Sequence, residues 1–116
     1  MNNALITDAQ RIVLLANGRE SLENPDFDPA PVFRLFTSDA GATWLLTEID
    51  PDDHDHAHGL CDLGLGMPEI GWVSLGELAA LRGGLGLSVE RDLYFRAEKR
   101  LSAYARDARL AGRIAV

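Results

Sequence analysis

The chain has 116 residues, 47% of them apolar and 25% charged, an ordinary globular mixture that buries roughly two thirds of its unfolded surface without metal or disulfide staples. Eleven basic against eighteen acidic side chains leave a net charge of −7, which excludes a general role in coating a phosphate backbone. The longest stretch without a charge or histidine, Ala40 to Thr47, is far short of the ~20 apolar residues of a membrane span, and the first residues lack a basic-then-apolar leader. The expectation is a protein of a reducing cytosol, in which the single cysteine, Cys61, has no internal partner.

No segment repeats, so residues 1–116 are read as one domain. Thr7 followed by Gln10 predicts a capping box, and Ile12, Val13, Leu15 and Ala16 continue at helical spacing until Asn17-Gly18, read as the stop. Pro25, Pro29 and Pro31 mark Arg19 to Pro31 as an irregular loop. Val32 to Thr37 and Thr43 to Ile49 are rich in β-branched and aromatic residues around a turn-forming Ser38 to Ala42, which predicts a hairpin. Pro51 ends the second strand. A polar loop then leads to strands at His58 to Leu63 and Glu69 to Val73, separated by Gly64 to Pro68. Ser74 with Glu77 predicts a second capping box before a short helix that ends by Gly83-Gly84. Alternation from Val89 to Phe95 predicts a fifth strand, and Ser102 is the expected cap of a last helix closed by Gly112. Strands in consecutive runs imply an α+β fold in the order α-β-β-β-β-α-β-α, a mainly antiparallel sheet of about five strands with three helices.

Several stretches together resemble one known family: Leu35-Phe36-Thr37, Ala42 to Glu48, Gly59-Leu60-Cys61-Asp62-Leu63-Gly64, Pro68-Glu69-Ile70-Gly71, Val73-Ser74-Leu75, Glu90-Arg91-Asp92-Leu93 and Leu101-Ser102-Ala103-Tyr104. The family consists of short bacterial proteins catalogued as a domain of unknown function, number twenty-nine fifty-eight, and the likeness runs from about Thr7 to Gly112. The resemblance implies a stand-alone cytosolic protein of the kind encoded on plasmids and integrative conjugative elements. It implies no activity and no cofactor. Three histidines between Asp52 and His58 depart from the family pattern.

Those histidines form the sharpest chemical cluster. His54, His56, His58 and Cys61 are zinc-type ligands, and in an extended segment the three imidazoles share a face. Their spacing matches no recognised zinc pattern, so a solvated polar loop is the favoured reading and no tightly bound metal is expected. Cys61 with His58 three residues before it fits a nucleophile and base poorly, because an odd separation along a strand puts the two on opposite faces. A buried structural cysteine is expected instead. Asp62 with Glu69 is a candidate acid/base pair, against the alternative that one or both face solvent or serve turn amides. The Gly-rich stretches read as turns, since neither completes a phosphate-loop or dinucleotide motif. Trp44 and Trp72 are expected in the core.

Charge is unevenly spread. Residues 1–81 hold three arginines against fourteen acids, a balance of −11, whereas residues 82–116 hold eight basic side chains against four acids, a balance of +4. Arg106, Arg109 and Arg113 are spaced to share one helical face, either a solvated face or a docking surface for an acidic partner. The expectation is a non-enzymatic accessory or protein-binding module of a bacterial mobile element, with an acidic protein as partner, nucleic acid disfavoured, and no cofactor. Two alternatives stand beside it: a small enzyme, with or without metal, using the segment from Asp52 to Asp62, and weak nucleic-acid binding through the last helix. The sequence leaves strand order and oligomeric state open.

Overall fold

A computed structural model describes residues 5–116. Thr7 begins the first helix with a complete capping box: Thr7 Oγ1 accepts from the Gln10 amide at 3.0 Å, and Gln10 Oε1 accepts from the Thr7 amide at 3.0 Å. The helix α1, Asp8–Glu23, does not stop at Asn17-Gly18. Asn17 Nδ2 donates to the Thr47 carbonyl at 2.9 Å, and a Cβ built on Gly18 would lie 2.0 Å from the Ile49 carbonyl oxygen. The pair that reads as a stop signal is therefore the place where helix and sheet come closest. The irregular segment begins only after Glu23.

The hairpin forms as expected, with β1 (Phe33–Phe36) antiparallel to β2 (Thr43–Asp50) in a register that sets Phe36 opposite Thr43. Thr37 closes the turn: its amide donates to the Ala42 carbonyl, and its hydroxyl accepts from the Ala42 amide, both at 3.0 Å. Trp44, Leu45 and Leu46 are all buried, as a strand covered on both faces requires.

The expected polar loop after Pro51 is short, because β3 runs from Asp53 to Asp62 and takes in the histidine segment. Pairing overrides the low strand preference of this segment: Asp53, Ala57 and His58 pair with β2, and His56 to His58 pair with β4 (Glu69–Ser74). Ser74 caps α2 (Leu75–Ala80) by accepting from the Glu77 amide at 3.1 Å. Asp55 completes the cap from β3, accepting from the Gly76 amide at 2.8 Å and the Ser74 hydroxyl at 2.5 Å.

The fifth strand is much shorter than the alternation predicts. β5 covers only Glu90–Arg91, paired with Leu35 and Phe36 of β1. Asp92 interrupts the run, because its carboxylate accepts from the Tyr94 amide at 2.9 Å and pairs with Arg34 at 2.8 Å, leaving Leu93 and Tyr94 exposed. The last helix, α3, is Leu101–Ala111, and Gly112 ends it in the left-handed region at φ 77° as expected. Its cap differs. Arg100 holds the cap position without a side-chain bond, and Ser102, two residues further in, is bound through its amide and hydroxyl by Asp28 from the proline-rich loop.

The fold is α+β: a five-stranded antiparallel sheet, in the order β4-β3-β2-β1-β5, with three helices. Two apolar clusters flank it. One joins Leu14, Leu75 and Leu78 of α1 and α2 to Trp44, Leu46, Ile49 and Ala57, and the other joins Leu101, Tyr104, Ala105 and Ala108 of α3 to Leu45 and Leu60. No helix among the described residues is long and apolar enough to cross a membrane.

Candidate functional site

One irregularity in the β2·β3 ladder arranges the most chemically loaded place in the molecule. Leu46 lies opposite Gly59, yet Glu48 lies opposite His58, so Thr47 is an extra residue that bulges out of the pairing. Its hydroxyl donates to the His58 carbonyl at 3.1 Å, and its own carbonyl takes the Asn17 amide group, so the bulge is anchored on both sides. Because of this insertion Glu48 and His58 face the same way, and His58 in turn lies opposite Trp72 of β4. Glu48, His58 and Trp72 form one rung across three strands.

Each member of the rung is held by contacts the sequence does not announce. Glu48 is buried, and its Oε1 accepts from the Ser21 hydroxyl of α1 at 2.9 Å. His58 Nδ1 stands 3.7 Å from the same oxygen, beyond hydrogen-bond range, and is buried without a hydrogen-bond partner among the described residues. Burial pushes the His58 pKa below its ordinary value, an effect only partly opposed by the Glu48 charge. The Trp72 ring lies 4.8 Å from the imidazole at an interplanar angle of 55° and is 53% exposed, against the expectation of a core residue. Trp44 is the tryptophan in the core. A cavity of ≈ 290 Å³ opens beside the rung, lined by these residues and by Gly18, Leu22, Asp50 and Pro51.

The four candidate ligands are held by separate contacts. His54 Nε2 lies 3.1 Å from the Pro51 carbonyl, His56 Nδ1 lies 3.2 Å from Asp53, and His58 belongs to the rung. Cys61 alternates to the face opposite His58, packs against the Trp44 cluster, and has its thiol pushed up to about 11 by burial. Among the described residues no group of three or more His, Cys, Asp or Glu side chains is placed to hold a metal ion.

The paired carboxylates also separate. Asp62 is buried and accepts from the Gly64 amide at 2.8 Å and the Ile114 amide at 2.9 Å, tying the chain end to β3, while exposed Glu69 lies opposite Cys61. In α3 and just beyond it, Arg106, Arg109 and Arg113 are all exposed, and none is in a salt bridge among the described residues. Leu110, on the last turn of α3, is 84% exposed. Nearby Asp107 is taken by Lys99.

Sequence reading locates His58 without its role, and it misses Ser21 and Glu48 as site residues altogether. The one available signal was a glutamate inside an otherwise apolar strand run, Thr43 to Ile49. No curated protein and no solved structure matches the chain. A family model does, over residues 5–115, and with that span the chain belongs to the family described as Protein of unknown function (DUF2958).

Proposed function

We propose that the protein is a non-enzymatic accessory module of the bacterial cytosol that docks through the basic face of α3 onto an acidic surface of a protein partner. The observation that carries this reading is the exposed C-terminal end of α3: Arg106, Arg109 and Arg113, in no salt bridge among the described residues, lie close in sequence to exposed Leu110, on a molecule whose net charge is −7. Arginine offers paired donors to carboxylates, and an exposed apolar residue beside them supplies a desolvated contact of the kind from which interfaces draw most of their affinity. The acidic remainder, a balance of −11 over residues 1–81, repels a polyanion that approaches closely, which favours a locally acidic protein over nucleic acid. The setting implied by the family resemblance makes the partner another protein of a mobile element.

Charge reversal tests this. The double variant R106E/R113E is expected to fold as the wild type does, with stability changed by ~0.5 kcal/mol or less, since both positions are exposed. Affinity capture from the native host at low salt should recover a defined acidic protein with the wild type and lose it with the variant, and wild-type capture should weaken as salt rises. Equal capture by the two proteins at low salt would sink the proposal.

A further inference from the structure

The cavity beside the Glu48, His58 and Trp72 rung lies apart from α3, and its lining has a definite electrostatic character. Glu48 is a nine-tenths buried carboxylate whose side chain is 10% exposed, and the one hydrogen bond it accepts among the described residues comes from a neutral hydroxyl, Ser21. No lysine or arginine contributes to the lining, which holds a second acid, Asp50. His58 does not compensate Glu48, because its Nδ1 is too distant for a hydrogen bond and burial favours the neutral imidazole. A buried carboxylate is stable when paired with a positive group, and among the described residues none is provided at that point. Over the same space stands the half-exposed Trp72, whose ring face attracts cations. The volume of ≈ 290 Å³ sits at the small end of ligand pockets.

We propose that this cavity binds a small organic cation, an ammonium or guanidinium group, with Glu48 as its counter-ion, Asp50 at the rim and Trp72 as the ring face that covers it. The group arrives on a free amine or on a lysine or arginine side chain; the chemistry recognised is the same. Ser21 holds Glu48 in place and leaves its second oxygen for the ligand. His58 backs the Trp72 ring. The acidic character of residues 1–81 raises the local concentration of cations around the opening.

The test is a titration of the full chain followed by amide and indole shifts in two-dimensional NMR, at constant ionic strength. Three probes are used: n-butylammonium, Nα-acetyl-lysine amide, and butan-1-ol as the neutral counterpart. Both cations are expected to shift the Trp72 indole and the Gly18, Ser21 and His58 amides saturably, with dissociation constants on the order of 1 mM for ligands of this size, and butan-1-ol is expected to leave them unmoved. Tighter binding of the free amine assigns a metabolite as the natural ligand, and tighter binding of the lysine amide assigns a side chain of a partner; either result upholds the site. E48Q should abolish saturation. W72L, at a position exposed enough to tolerate it, should weaken binding by on the order of tenfold, read from the Ser21 and His58 amides, and it keeps the test open should E48Q fold poorly. R106E/R113E should bind the probes like the wild type, which separates this site from the α3 face. Equal shifts with butan-1-ol, unaltered binding by a folded E48Q, or no saturable shift with either cation would overturn the proposal.

Discussion

His58 and Cys61 stand three residues apart on β3, and burial acts on both in the direction of the uncharged form: the imidazole pKa falls below 6.5 and the thiol rises to about 11. At neutral pH the thiol is protonated, so Cys61 is a packing residue and a poor nucleophile. His58 makes folding depend on pH. In the unfolded chain it takes up a proton near its ordinary value of 6.5, whereas in the folded chain it holds out to lower pH, so between those two values the unfolded state binds more protons and gains stability. Stability is therefore complete above the unfolded value and lost as pH falls through the folded one. Glu48 and Asp50 are the ionisable groups that face His58 within the cavity, and Glu48 limits the shift without reversing it. Urea midpoints measured from pH ~7.5 down to ~5.5 should fall for the wild type and stay nearly level for H58Q. A wild-type midpoint that rises on acidification would mean that the Glu48 charge outweighs burial.

At the scale of elements, the helices and the hairpin were legible in the sequence because their signals are local. Thr7 with Gln10, the turn around Gly41, and Gly112 each act within a few residues of where they stand. Three other elements were set by distant partners. Asp28 supplies the bonds at the start of α3 from 74 positions away, Asp92 spends its carboxylate on Arg34 and so cuts β5 to two residues, and β3 recruits a polar segment because both neighbouring strands pair with it. Gly18 offers the sharpest test. Glycine within a helix costs roughly 1 kcal/mol relative to alanine, so Gly18→Ala would stabilise an isolated helix. Here the new methyl would meet the Ile49 carbonyl oxygen at 2.0 Å, a backbone atom inside the sheet. Thermal and urea unfolding of G18A should show a net loss of ~1–3 kcal/mol from that collision. A neutral or stabilising result would mean that α1 moves off the sheet at no cost.

Over the whole molecule, β2 belongs to both apolar clusters, with Trp44 and Leu46 in one and Leu45 in the other. Neither cluster persists without that strand, so far-UV circular dichroism and tryptophan fluorescence should report one coincident unfolding transition, the behaviour of a single domain. Two separated midpoints would divide the chain into independent units. The sequence by itself determined the class of fold and the order of its elements, and it marked an apolar strand at Thr43 to Ile49 and the basic composition of the C-terminal segment, because periodicity, turn chemistry and charge are written in neighbouring residues. It placed His58 in a candidate metal set and Trp72 in the core. Only the tertiary structure decided otherwise. One bulged residue, Thr47, shifts the pairing so that Glu48 meets His58, the next strand adds Trp72, and α1 brings Ser21 across to the buried carboxylate. Ser21, Glu48, His58 and Trp72 lie up to 51 positions apart, and their meeting depends on strand register and helix docking, which are set by the packing of the whole sheet and by no local pattern.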